Sequence, residues 1–176
     1  MFRYFILSAL CIIISGCSPD QRLLASQKDT LTHKAFHYYG LDEVKDRQLI
    51  KEIMGVDPVR TEWCAAFVNM VLLENDLPQS STVSLFPLTA RSFLKWGDKV
   101  DEPQQGDIII FKRGEPWQGH VGFYVNSKVL NGQLVYYVLG GNQDNKVSII
   151  TYPADRLLSI RRYNPNQAKL DLATVF

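Results

Sequence analysis

Cys64 and His120 are the two residues of this chain whose types and settings together suit nucleophilic chemistry. Cys64 stands in the run Thr61-Glu62-Trp63-Cys64-Ala65-Ala66-Phe67-Val68-Asn69, at the head of an almost uninterrupted apolar segment. If that segment is a helix, the unpaired N–H groups of its first turn and the helix dipole stabilise an anion at Cys64. That lowers a thiol pKa and favours the thiolate. The same amides can hold a developing oxyanion. Position alone leaves a second reading open, a small apolar filler on a core helix, which is a common fate of a free cysteine. His120 follows the loop Gly114-Glu115-Pro116-Trp117-Gln118-Gly119 and opens a strand-like run, where a rigid scaffold presents a polar group at a sheet edge. A thiol and an imidazole so placed suit attack on a carbonyl, with the histidine carrying the proton.

A third group comes from hairpin arithmetic. Asn131-Gly132 between two apolar runs is a strong signal for a two-residue type I′ turn. Counting back along both arms without bulges sets His120 opposite the pair Asn142–Gln143. Gly140-Gly141 makes a slip of one position cheap. An amide oxygen there could accept the imidazole N–H and fix its tautomer. Asn142 also reads as an ordinary turn residue of a Gly-Gly-Asn loop. The remaining histidines, His33 and His37, stand one helical turn apart. Lys34 lies where a zinc-protease helix needs glutamate, so surface histidines are expected there and no metal site.

The elements that must hold these residues fall into two halves. Spacing of apolar residues predicts a helix over residues 23–39 closed by Gly40, and a second over 41–54 burying Val44, Leu49, Ile50 and Ile53, with Gly55 after it. Thr61 is placed to cap a third over 62–74, apolar on nearly all sides and therefore central. A polar loop over 79–87 and a short helix over 89–96 ended by Gly97 follow. After Gly106 the period changes to short β-branched and aromatic runs at 107–112, 120–125, 133–139, 146–152 and 158–162. Helices first and strands afterwards predict an α+β domain, an antiparallel sheet packed on the buried helix.

The amino-terminal stretch reads separately. Residues 1–16 carry Arg3, an apolar run of signal-peptide length and Ile14-Ser15-Gly16 before Cys17. The pattern resembles a bacterial lipoprotein lipobox, which implies cleavage before Cys17 and its acylation, with residues 17–22 as a short tether. Two or three acyl chains anchor stably where one does not. In a source with two membranes, Ser18 in place of aspartate points to the periplasmic face of the outer membrane. Removing residues 1–16 leaves 160 residues with 18 basic and 18 acidic side chains. A neutral chain without basic runs argues against nucleic acid as partner, and its length suits one domain, residues 23–163, with a tail over 164–176. Cys11 goes with the signal and Cys17 with the lipid. Cys64 is then a lone thiol in an oxidising compartment, a hazard unless buried or used.

Four blocks carry a further resemblance: Trp63-Cys64-Ala65-Ala66-Phe67-Val68-Asn69, Gly106-Asp107-Ile108-Ile109-Ile110-Phe111, Trp117-Gln118-Gly119-His120-Val121-Gly122-Phe123-Tyr124 and Gly140-Gly141-Asn142-Gln143. In this order they resemble the NlpC/CHAP-like cysteine hydrolase superfamily over residues 35–163. The resemblance implies a papain-like fold, Cys64 as nucleophile, His120 as base and Asn142 as the third polar residue. The implied activity is cleavage of amide bonds in peptidoglycan; no motif calls for a cofactor, and a monomer is expected. Related CHAP domains often carry a glutamate two residues before the asparagine, where this chain has Gly140. Trp117 reads either as an apolar wall for a sugar or stem peptide or as a packed loop anchor. Two other expectations stay open, a wall-binding lipoprotein without turnover and a thiol acyltransferase using the same acyl intermediate.

Overall fold

The computed structural model describes residues 30–165. Residues 1–29, with the expected leader, Cys17, the expected tether and the start of the first expected helix, and residues 166–176 of the expected tail lie outside the described residues.

The architecture is α+β, as the change of period implied. Helix α1 (Leu31–Phe36) is capped by the Thr30 side chain, which accepts from the His33 N–H at 3.2 Å. Helix α2 (Arg47–Met54) ends on Gly55 in the left-handed conformation at φ 70°, the role expected of that glycine. It begins later than its apolar spacing predicts. Asp42 Oδ1 accepts from the Val44 and Lys45 N–H groups, each at 3.0 Å, and so holds a turn in place of a first helical turn. Val44 lies in that turn and is exposed; within α2 itself Leu49 is on the exposed side, and Ile50 is the fully buried residue.

Helix α3 (Cys64–Leu73) is the central element, with every residue from Cys64 to Leu72 buried. Thr61 does not cap it. Trp63 occupies the cap position without a side-chain bond, and Cys64 is therefore the first helical residue. Short 3-10 turns at Ser80–Thr82 and Ala90–Lys95 complete the helical half.

Six strands follow: β1 (Asp98–Val100), β2 (Ile108–Lys112), β3 (Gly119–Leu130), β4 (Gln133–Gln143), β5 (Lys146–Pro153) and β6 (Leu157–Arg162). They form one antiparallel sheet in the order β1-β6-β2-β3-β4-β5. Strand β1 had no counterpart in the sequence reading. Period-two alternation gives the sheet two apolar faces. Ile108, Ile110, Val121, Phe123, Leu139 and Val147 pack with α3. Ile109, Phe111, Tyr124, Tyr136, Val138 and Ile160 form a second cluster. Beside the outer strand β5 runs a strap: Gly40 N–H donates to Val147 O (2.8 Å), Val147 N–H to Leu41 O (2.9 Å) and Glu43 N–H to Asn145 O (2.8 Å).

Candidate active site

Cys64 opens α3 and is 4 % exposed. Burial pushes its thiol above the ordinary range. The backbone N–H of Val121 on β3, the nearby Glu62 carboxylate, the Ala65 N–H and Arg113 follow in that order, with Glu62 raising and the others lowering. The expected depression of the thiol pKa is thus overturned. The helix-start amides are present, but removing the sulfur from water costs a thiolate more than they return. The contact with Val121 matters for position, because it sets the thiol against the residue that follows His120.

His120 is fully buried in β3. Its Nε2 lies 2.9 Å from Gln143 Oε1. The Gln143 carboxamide cannot be reversed, since its Nε2 donates to Val138 O at 3.2 Å and Ser148 O at 2.5 Å. Gln143 Oε1 is therefore an acceptor, and hydrogen bonding assigns the imidazole proton to Nε2. Nδ1 is left bare and buried, without a hydrogen-bond partner among the described residues. Thiol and imidazole are accordingly not hydrogen-bonded to one another in this structure. Burial lowers the His120 pKa to about 4, against the Gln143 bond that raises it, with Arg113 lowering it further. The ring lies on Tyr152, with centroids 5.0 Å apart and planes 15° apart, and the Tyr152 hydroxyl donates to the same Gln143 oxygen at 3.2 Å.

Asn142 does not meet His120. Its Nδ2 donates to Glu62 Oε2 at 2.6 Å, and its backbone is left-handed at φ 56°. The orienting position belongs to Gln143, the other member of the pair that the hairpin count set opposite His120. Gly140 explains the departure from the CHAP pattern. A Cβ there would stand 3.1 Å from His120 Nε2 and 3.2 Å from Gln143 Oε1, so the absent side chain leaves room for the carboxamide that holds the base. Gly141 is tighter still, with a Cβ falling 2.6 Å from Trp63 Cζ3 and 2.7 Å from Phe67 Cβ. Its bareness lets the start of α3 settle against β4.

The thiol opens onto a groove of about 400 Å³ walled by Glu62, Leu88, Thr89, Arg113, Trp117 and Gln118. Trp117 is 71 % exposed, so it stands on the groove wall and is no packed anchor. Arg113 and Glu62 face one another there at 3.7 Å. His33 and His37 are both exposed on and just after α1, their rings edge to face at 5.5 Å. Among the described residues no group of three or more His, Cys, Asp and Glu is placed to hold a metal. Sequence reasoning missed Tyr152, Arg113 and Glu62. Tyr152 comes to His120 only through the β4–β5 pairing, and Arg113 and Glu62 meet across 51 residues of chain.

No family model matches this chain, and no curated protein matches it significantly. The chemistry of the site therefore stands on its own geometry and on the residue blocks that surround Cys64 and His120.

Proposed function

We propose that the chain is a cysteine amidohydrolase or endopeptidase acting on peptidoglycan, with Cys64 as nucleophile, His120 as proton carrier and Gln143 as the residue that orients it. The observation that carries the reading is the bare, buried Nδ1 of His120, held in one tautomer by Gln143 and one residue from the amide that meets the Cys64 sulfur. A structural histidine uses both ring nitrogens when buried. One that spends a locked carboxamide on Nε2 and keeps Nδ1 free is prepared to take a proton.

The chemistry starts from a neutral pair, because burial raises the thiol and lowers the imidazole. Sγ of Cys64 forms a bond to the amide carbonyl carbon as its proton passes to Nδ1 of His120. Catalytic hydrogen bonds of this kind commonly close only when substrate is bound. The imidazolium then protonates the leaving nitrogen as the C–N bond breaks, leaving a thioester and a free amine. Water, deprotonated by His120, adds to the thioester and releases the carboxylic acid and the thiol. First-turn amides of α3 are the oxyanion donors.

The substrate class rests on the four blocks that resemble the NlpC/CHAP-like superfamily. The helix-on-sheet arrangement, with nucleophile at a helix start and base on a facing strand, supports a papain-like reading of the fold. Acylation at Cys17 and placement at the outer membrane belong to the same proposal. A separate observation favours a wall-binding lipoprotein without turnover: Cys64 is 4 % exposed and His120 fully enclosed. Incubation of purified sacculi with residues 18–176, followed by mass spectrometry, separates the two. New amine and carboxyl termini that vanish with Cys64→Ala support hydrolysis. Intact sacculi that retain the protein support binding alone.

A further inference from the structure

We propose that Arg113 is a carboxylate-binding residue of the Cys64 groove, so that the preferred substrate carries a free carboxylate close to the amide under attack. This rests on the reading of the groove as a substrate site, and narrows it to a chemical class.

Two other arginine–carboxylate pairs show what a structural pair looks like here, while Arg60 merely approaches Asp57 at 3.8 Å. Arg47 holds Asp57 through two bonds of 2.8 and 2.5 Å, and Arg162 holds Asp107 through two of 2.8 Å. Both are the bidentate fork that guanidinium geometry favours. Arg113 makes no such fork. Its contact with Glu62 is a single approach of 3.7 Å, beyond hydrogen-bond distance, with both side chains more than half exposed. The Glu62 oxygen it approaches, Oε2, already accepts from Asn142 at 2.6 Å. A planar set of donors therefore stands unfilled on the wall of the groove that contains the nucleophile.

The Thr89 hydroxyl proton and the Gln118 carboxamide oxygen are turned to internal use. The Thr89 hydroxyl donates to Phe86 O at 2.9 Å, and Gln118 Oε1 accepts from the Glu115 N–H at 2.9 Å. Among the groove's lining residues only Arg113 and Glu62 are charged. One oxygen of Glu62 accepts from Asn142, and of the two charged groups only the cation attracts an anionic ligand. Planar donors facing a groove recognise a planar anion, and a carboxylate two-point pair satisfies them. Peptidoglycan stem peptides carry free carboxylates that occur both ionised and amidated, so the site would separate these two forms. Trp117 and Leu88 supply the apolar sides of the same groove.

Two measurements test this, one without turnover. Calorimetric binding of muropeptides to Cys64→Ala should be roughly tenfold to hundredfold tighter for free carboxylates than for the amidated form. Adding Arg113→Gln should make the two forms equivalent, and Arg113→Lys should restore only part of the difference. In the wild-type enzyme the same preference should appear in KM rather than kcat. Equal binding of both forms, binding of neither, or a preference that survives Arg113→Gln would overturn the proposal. If the wild type turns over neither form but Cys64→Ala still selects the carboxylate, hydrolysis fails while this inference stands. Arg113 is exposed, so a thermal melt matching the wild type shows that any loss is not one of folding.

Discussion

Tyr152 lies flat on the imidazole of His120 and donates its hydroxyl to the very oxygen, Gln143 Oε1, that accepts the imidazole proton. One side chain thus fixes the plane of the base and saturates the acceptor that fixes its tautomer. Phe111 also stacks with Tyr152, at 4.6 Å. Tyr152→Phe keeps the stack and loses one bond, and should cost about 1 kcal/mol of stability with a small loss of turnover. Tyr152→Ala removes the support of the ring and should cost about 2–4 kcal/mol. Urea unfolding together with turnover of sacculi measures both, and a Phe variant as impaired as the Ala variant would count against the stacking role.

Gln143 and Asn142 differ in what they hold. Gln143→Ala leaves His120 Nε2 buried without a partner, which should cost about 1–3 kcal/mol. It should also reduce kcat, yet by less than the roughly hundredfold to ten-thousandfold expected for removing the base itself. Asn142 requires a different substitution, because alanine at φ 56° is strained. Asn142→Gly keeps the backbone and removes only the bond to Glu62. It should leave kcat near wild type, and a loss equal to that of Gln143→Ala would return the orienting role to Asn142.

The His120 pKa of about 4 ties stability to pH. An unfolded histidine titrates near 6.5, so between these values the unfolded chain binds a proton that the folded one refuses. The contribution is fully present above pH 6.5 and is lost progressively as pH falls to about 4. The loss amounts to about 3 kcal/mol. Chemical denaturation at pH 7 and pH 4 of the wild type and of His120→Gln isolates it, and equal slopes in the two proteins would refute the assignment. Turnover should fail on the acid side as His120 becomes charged.

Burial of the Cys64 sulfur reverses the usual expectation for a helix-start cysteine. Iodoacetamide should modify it more slowly at pH 7.5 than a free peptide thiol, with the rate still climbing above pH 9. Saturating substrate analogue or mild denaturant should change that rate. Alkylation faster than the peptide control at neutral pH would mean the resting state is already a thiolate–imidazolium pair.

Gly140→Glu would introduce the acidic residue typical of CHAP domains into space that this chain uses differently. Its Cβ alone meets His120 Nε2 and Gln143 Oε1 at 3.1 and 3.2 Å, so the pair should separate and turnover fall. Unaltered turnover would show that the His120–Gln143 bond is dispensable.

Much of this site is legible in the sequence, and its gaps have physical causes. Asn131 and Gly132 form the turn that their types require, at φ 51° and 77°, and Leu130 pairs with Gln133 beside it. Counted straight from that turn, Gln143 comes level with His120, and Gln143 is the residue found on its ring, although the pairing between them is not regular. A bulge at Val125 shifts the pairing by one, and a second irregularity between Gly140 and Gln143 turns Asn142 left-handed. The first displacement alone would favour Asn142, the residue the resemblance implied; the second offsets it, and Gln143 is the one that meets His120. Turn chemistry is local and can be read from residue types. Bulges answer to the twist of the whole sheet, which no single window encodes. Val44 misled for a related reason: apolar spacing marks a possible helix, but Asp42 captured the amides that its first turn needed. The thiol pKa was misjudged because burial depends on everything that packs over Cys64.

The strap along β5 has a consequence for molecules held close together. An open strand border invites a neighbour to add its own strand, and crowding raises the odds of that encounter. Here the backbone of Gly40, Leu41 and Glu43 occupies part of that border, and an isolated bridge from Asp42 to Lys146 adds a charged pair at 3.5 Å. The opposite border is the three-residue β1, where Asp98 and Lys99 are exposed. The strap closes β5 at its Lys146–Val147 end, and β1 closes β6 over Ile160–Arg162. Copies of the chain brought close together would therefore find those two stretches already closed to an added strand.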